Sequence, residues 1–408
     1  MLSDKYITKI EGHGSLEIDW QKNKVELRIH EGERLFEGIL VGRTVEEAHW
    51  ITPRICGVCP IAHNLASLKA IENGMRIEIS ETASLFRDLM VSAQMLQSHI
   101  LHLFFLSLPD YLGIDRGTEL AHKNPKVFKM AMDIKEIGDE IATVVSGRSV
   151  HPVTTTIGGF HKYPRKKELM ELLKKIEKAE KSAEGILKLC LSLEFPELKS
   201  DFELVAQKEG EILGSKGEKH PVADYKNTIE EEIRNNSTAK FGTYKNREMF
   251  VGSLARLYFN LKDEKMRANI DFQNPFHNNL AQAIEIVEYQ KKAEEIIKKL
   301  LENDLTTLSV VTTSDVVHGE FKGIGALEAP RGGLYHEFAF SQTSSEQVPI
   351  ITYANIITPT VQNLTSIEKS AQMLLEQCLP RAKSRETIKH LLDMLVRAYD
   401  PCITCSVH

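Results

Sequence analysis

The amino-acid sequence predicts an α+β protein, mainly α: a central bundle of long helices, a small N-terminal antiparallel sheet and peripheral β segments. Three observations carry this. Long stretches place apolar residues every three or four positions, as helices with one buried face require. The first 30 residues instead alternate with period two, the mark of half-buried strands. From Gly323 to Thr358 the pattern turns irregular and rich in β-branched residues, with Gly332-Gly333, which reads as β structure and loop.

In chain order, Leu16-Glu17-Ile18-Asp19-Trp20 and Lys24-Val25-Glu26-Leu27-Arg28-Ile29 alternate, and Gln21-Lys22-Asn23 makes the hairpin between them. From Leu85, the residues Phe86, Leu89, Met90, Ala93, Leu96, Ile100, Leu103 and Phe104 form one helical stripe. A second periodic run spans Pro164 to about Leu193. Its Lys-rich start, from Lys162 to Lys175, is interleaved with Glu and reads as a solvated helix face. A third runs from about Leu280 to Leu301, with Ile286, Tyr289, Ala293, Ile296 and Leu300 on one face, and a last from about Arg385 to Tyr399. Such stripes suggest a bundle core. The polar stretch from Gln207 to Gly242 reads as a surface excursion. The chain is therefore taken as one domain: a β region at 1–43, a helical core at 44–206 and 243–320, the excursion at 207–242, a β and loop region at 321–363, and C-terminal helices at 364–408.

The 408 residues are 42% apolar, enough for a sizeable core. A formal charge of −6 disfavours a dedicated nucleic-acid binder. No run of about 18 uncharged apolar residues appears, and the first residues lack the apolar core of a signal peptide. The chain thus reads as cytoplasmic, without membrane insertion of its own.

Six cysteines are few for a disulfide framework in a chain of this length. Cys190 and Cys378 stand alone and read as small buried apolar residues. Cys56 and Cys59 form one CxxC, and Cys402 and Cys405 another. Two such pairs suggest a four-thiolate metal site. Structural zinc is the simplest reading, but zinc ribbons keep their pairs roughly 12–20 residues apart. Here 342 residues separate Cys59 from Cys402. A dithiol redox pair would explain only one CxxC. A site joining both pairs would tie the two ends of the chain together, as at the centre of a large enzyme.

The flanks add to this. The first pair reads Arg54-Ile55-Cys56-Gly57-Val58-Cys59-Pro60, with His63 following. The second reads Asp400-Pro401-Cys402-Ile403-Thr404-Cys405-Ser406-Val407-His408. With these motifs the sequence resembles the large subunit of nickel–iron hydrogenases. Further blocks fit in order along nearly the whole chain: Ile10-Glu11-Gly12-His13, Arg34-Leu35-Phe36-Glu37 with Gly42-Arg43, Ser98-His99 through Asp110, Gly147-Arg148 with His151-Pro152, Val251-Gly252 with Ala255-Arg256, Ala329-Pro330-Arg331-Gly332, and Thr358-Pro359-Thr360 with Asn363.

The resemblance implies a catalytic subunit that splits dihydrogen heterolytically, at a nickel ion bridged to an iron that carries one carbonyl and two cyanides. All four cysteines would bind nickel, Cys56 and Cys402 as terminal ligands, Cys59 and Cys405 also bridging to iron. Soft thiolates suit such metals. The Cys402 thiolate would take the proton and pass it to Glu11. Arg331, after Pro330, would lie over the metals and bond a cyanide, with a role as base as the alternative. Thr360, after Pro359, would donate to the other cyanide. Asp110 and Asp400 would orient Arg331, and His63 would sit beside the ligands. Glu37, His408 and the backbone carbonyl of Ile356 would hold a magnesium or iron ion. His99 and His102 read as core or supporting residues.

Two departures point to the cytoplasmic multisubunit branch of the family: Gln362 stands where uptake members carry Trp, and Tyr399 precedes Asp400-Pro401 where they carry Phe. No cysteines remain for an iron–sulfur cluster, so the resemblance implies an iron–sulfur small subunit as electron partner, with further flavin or iron–sulfur subunits. It also implies metal-insertion factors and a maturation protease, because the sequence stops at His408, where family precursors are clipped. This is read as a mature chain or a member lacking the extension. Two competing readings are a non-catalytic relative of the quinone-site subunit of respiratory complex one, which generally lacks the cysteine quartet, and a zinc-stabilised binding protein.

Overall fold

The computed structural model describes residues 6–303, 319–342, 348–381 and 383–407. Strands β1 (Gly14–Asp19) and β2 (Lys24–Ile29) pair antiparallel, with Leu16 opposite Leu27. Val25, Leu27 and Ile29 point inward, as their alternation requires. The first strand is buried on both faces: Glu17 is inside too, and Arg28 pairs with it at 2.8 Å. At the turn, the Asp19 carboxylate accepts the amides of Gln21 and Lys22, and Asn23 takes the left-handed conformation.

The helices follow their stripes. α1 (Pro60–Met75) leaves directly from the first CxxC. α2 (Glu81–Leu101) starts where the Ser80 hydroxyl accepts the Ala83 amide, and α3 (Pro125–Ser146) where Asn124 accepts the Val127 amide. With α4 (Lys166–Leu191) and α5 (Asn278–Glu302) they close a four-helix ring, α2 against α3, α3 against α4, α4 against α5 and α5 back against α2. At its C-terminal end α2 widens into a π turn over His102–Ser107, just before Pro109, whose missing amide breaks the regular ladder. The span Glu81–Tyr111 is long and apolar enough to cross a membrane by length and composition, but most of it is buried inside the protein.

Residues 207–242 contribute to two small β units. One is the sheet of Glu203–Lys208, Glu211–Gly214, Lys219–Pro221 and Met249–Phe250; the other is the hairpin of Ile229–Glu232 and Phe241–Tyr244. Many of their charged residues are exposed, but Ile212, Tyr225, Ile229 and Phe241 are buried, so the stretch helps to build the core.

The region from Gly323 onward, read as irregular β structure and loop, is an antiparallel sheet: β3 (Gly319–Ala329), β4 (Gly332–Gln342) and β5 (Ile350–Ile357), with β4 in the middle and a register shift at Ala339/Phe340. The β reading holds; the order of the strands was hidden because β4 is buried on both faces from Gly332 to Phe338, which erases the period-two signal. The sheet lies directly on α1. A Cβ on Gly323 would sit 2.0 Å from the Ala70 carbonyl oxygen, and one on Gly325 2.0 Å from that of Ala66, so only glycine admits this contact. Lys69 and Asn73 seal it by bonding the carbonyls of Ala326 and Ile324. Helices α6 (Pro359–Cys378) and α7 (Arg385–Ala398) then lead to the second CxxC.

Candidate metal centre

The two CxxC motifs meet. The sulfurs of Cys56 and Cys402 lie 3.3 Å apart, as do those of Cys59 and Cys405, and none is in a disulfide. All four are buried. The Sγ atoms of Cys56, Cys59 and Cys405 lie within 4.8 Å of one another, as a shared metal ion requires. Each pair is held by its neighbours. Gln94 of α2 accepts the Ile61 amide and donates to the Val58 carbonyl, which fixes the first loop. Arg34 donates to the carbonyls of Ile55 and Thr404 at 2.7 and 2.5 Å, so one guanidinium ties both loops together.

The thiols do not share protons evenly. Hydrogen bonds from Cys402 first, then Cys405 and Cys59, hold the Cys56 thiol well below its ordinary value. Burial holds the Cys402 thiol well above it. Four thiolates packed without water repel one another, and a cation removes that penalty. Buried, unbridged and converging, the donors fit a thiophilic metal centre.

Glu11 reaches the site from the N-terminal strap. Its carboxylate accepts the Cys402 thiol at 2.9 Å and the Thr404 amide at 3.1 Å, and its carbonyl accepts the Ile403 amide at 2.8 Å. Gly12, with φ +87°, makes the approach possible, because a Cβ there would lie 2.8 Å from the Ile403 Cβ. Thr360, at the start of α6 behind Pro359, accepts the Cys402 amide at 3.0 Å.

Arg331 lies buried in the turn between β3 and β4. It donates to the Asp400 carbonyl and carboxylate, both at 2.7 Å. Burial opposes its charge, but Asp400 and the sulfurs of Cys402, Cys59 and Cys56 outweigh it and hold the guanidinium ionised. Asp400 is itself strained, at φ +53°, and Gln282 donates to its second oxygen. The expectation that Asp110 also orients Arg331 is corrected: Asp110 pairs with Arg397 at 2.7 Å and with Lys9. Position in sequence gave no sign of this, since Arg397 reaches Asp110 only once α7 is docked. The remaining donor group of Arg331, Nη1, instead faces Ser98, at 3.4 Å.

His63 lies 3.3 Å from the Cys405 sulfur, and its other ring nitrogen 3.1 Å from His336. His336 meets Ser67, and Ser67 meets Thr52. The sequence reading missed His336, although it sits five residues after Arg331. Arg256 was quoted only as part of a block. It turns out to bond Glu285, Glu328 and the carbonyls of Ala329 and Pro330, which shapes the turn carrying Arg331. His99 and His102 go separate ways, His99 to Glu285 at 2.8 Å and His102 to Gln282 and the Arg397 carbonyl. The Glu37 carboxylate accepts the Ile356 amide at 2.7 Å and the Asn355 side chain at 3.2 Å. His408 lies outside the described residues. Gln362 fills its position by donating to the Gly333 carbonyl at 2.6 Å. Cys190 and Cys378 are buried and apart from this cluster.

A family model described as nickel-dependent hydrogenase matches residues 34–127 and 206–408. The chain is 33% identical to sulfhydrogenase 1 subunit alpha of Pyrococcus furiosus, over 99% of its own length and 96% of that protein's. It is 27% identical to the NAD-reducing hydrogenase HoxS subunit beta of Cupriavidus necator, over 98% and 93%. A crystal structure of an NAD+-reducing [NiFe]-hydrogenase in the H2-reduced state has the same fold, with a TM-score of 0.84 at 24% identity, covering 100% of this chain and 99% of that one. By the matched motifs, the full-length relatives and the thiol cluster they converge on, this chain belongs to the nickel-dependent hydrogenase family.

Proposed function

We propose that this chain splits dihydrogen at a nickel–iron group held by Cys56, Cys59, Cys402 and Cys405, with Cys402 and Glu11 forming the proton path. Cys59 and Cys405 would also hold the iron, and the group, when bound, supplies the hydride-accepting half of the heterolysis. The observation that carries the reading is the Glu11 carboxylate 2.9 Å from the Cys402 sulfur, beside three other converging thiols. A proton leaving that sulfur meets an acceptor already in hydrogen-bond reach, and Glu11 is half-buried, so it links the interior to the surface. The Thr404 amide, bonded to the same carboxylate oxygen, steadies the group between transfers.

Arg331 brings a fixed positive charge to a buried, anionic centre. Its Asp400 partner holds the planar fork in place and limits net charge in a low-dielectric site. This favours electrostatic stabilisation, with a cyanide as the anionic acceptor, over service as a base. Thr360 supports the loop through the Cys402 amide. A carbonyl and two cyanides on the iron, and a magnesium or iron ion at Glu37, the Ile356 carbonyl and His408, complete the proposed centre. Oxygen donors suit magnesium.

Among the described residues no second cysteine cluster exists for electron relay. Electrons would leave through an iron–sulfur small subunit and onward to flavin or iron–sulfur subunits, in a cytoplasmic complex built with maturation factors. The names of the relatives, as alpha and beta subunits, support a multisubunit assembly. The test is an infrared spectrum of the purified complex in the carbon monoxide and cyanide window, with nickel and zinc measured on the same sample. One carbonyl and two cyanide bands with nickel are expected. Zinc without bands would overturn the reading.

A further inference from the structure

The carboxylate on Cys402 belongs to a strap, residues 6–13, that has little secondary structure of its own. Within it, the Ile7 amide donates to the Gly14 carbonyl at 2.9 Å. Thr8 is exposed, and Lys9 takes the left-handed conformation at φ +59°. A short strap of mostly half-buried and exposed residues does not keep a carboxylate on a sulfur unaided, because ordering its backbone costs conformational entropy. The structure supplies an anchor. Arg397, buried near the end of α7, donates through Nε to the Thr8 carbonyl at 2.8 Å and through Nη2 to the Thr8 hydroxyl at 3.2 Å. Its third arm pairs with Asp110 at 2.7 Å, and Asp110 also holds Lys9. Asp393, one turn back on α7, faces the same guanidinium at 3.8 Å. His102 fixes the backbone of this corner by bonding the Arg397 carbonyl at 2.6 Å.

We propose that Arg397 and Asp110 are positioning residues for Glu11: they clamp the strap at Thr8 and Lys9 and thereby hold the Glu11 carboxylate against Cys402. This rests on the reading of Glu11 as the proton acceptor. It gives a use to Asp110, whose partners are Arg397 and Lys9. It also explains a buried arginine whose three arms all turn toward the strap and Asp110 rather than the thiols. Proton transfer falls steeply with donor–acceptor misplacement, and about 1 Å can reduce a rate 10²-fold.

The test uses the assembled enzyme with Arg397→Gln, Arg397→Lys, Asp110→Asn and Glu11→Gln. Nickel content, exchange of deuterium gas with water, and amide hydrogen exchange in the peptide carrying Ile403 and Thr404 are measured. Those two amides donate to Glu11 and report whether it is in place. With Arg397→Gln and Asp110→Asn, nickel stays bound, gas exchange falls about tenfold to a hundredfold, and amide protection falls by tenfold or more. Arg397→Lys recovers part of both, since the charge at Asp110 is kept. Native protection and native gas exchange in nickel-loaded Arg397→Gln overturn the clamp. If Glu11→Gln also exchanges at the native rate, the relay reading itself fails; if it is slow while Arg397→Gln is native, only the clamp fails. Should the Arg397 variants not assemble, Lys9→Met and Thr8→Val on the strap decide: a several-fold loss of amide protection supports the clamp, and native protection in both overturns it.

Discussion

At the scale of single residues, the proposed proton path has few members. Among the described residues, Glu11 is the carboxylate on the Cys402 sulfur. Glu11→Gln keeps the shape and removes the acceptor, so deuterium–water exchange should slow about 10²-fold or more with nickel content unchanged. Exchange at the native rate would sink the relay. Cys190 gives a contrasting case. Burial alone pushes its thiol up to about 12, so at pH 8 almost none is thiolate. Alkylation of the native protein followed by peptide mass spectrometry should find Cys190 unmodified. Much of this was legible in the sequence. The cysteine pairs showed in their own spacing, while Glu11 was picked out only by the family resemblance of its block Ile10-Glu11-Gly12-His13. The partners of those residues were not legible: Arg34 donates to Thr404 across 370 positions and Arg397 reaches Thr8 across 389, and nothing local marks either contact.

At the scale of elements, the long helices announced themselves because each buries one face, and a period of 3.6 residues survives any choice of partner. The late sheet showed as β structure but not as ordered strands, since a strand covered on both sides loses its alternation. What the sequence showed only as scattered glycines is the seam between β3 and α1. Gly323→Ala would place a Cβ 2.0 Å from the Ala70 oxygen and 2.4 Å from the Gly74 nitrogen, both main-chain atoms that yield little. The strand must lift, and stability should fall by about 1–3 kcal/mol, read as a lower thermal midpoint. Gly38→Ala is the control. It lies in the helix Phe36–Leu40 with nothing within 4 Å of the new methyl, so the midpoint should hold or rise slightly. An unchanged midpoint for Gly323→Ala would mean the seam is softer than its distances imply.

At the scale of the whole molecule, acid sensitivity follows from what is buried neutral. His49 lies inside beside Trp50, and burial pushes its value down to about 4. The unfolded chain takes up that proton near pH 6.5, while the native state refuses it until about 4. Between those limits the unfolded state binds more protons, so falling pH removes stability, by up to about 3 kcal/mol for this one ring. Denaturant midpoints measured from pH 7 to pH 4.5 should therefore drop less steeply in His49→Gln than in the parent. Parallel curves would show that the ring is protonated in the native state.

The Arg34 clamp carries a consequence for how the protein comes into being. One guanidinium needs the carbonyls of both Ile55 and Thr404, and the Glu11 strap needs the amide of Ile403. Translation delivers the first cysteine pair hundreds of residues before the second. For most of its time on the ribosome the nascent chain therefore exposes Cys56 and Cys59 without their counterparts, a half-built pocket open to any passing thiophilic ion. A site that draws on all four sulfurs can therefore form only after residues 402–405 emerge.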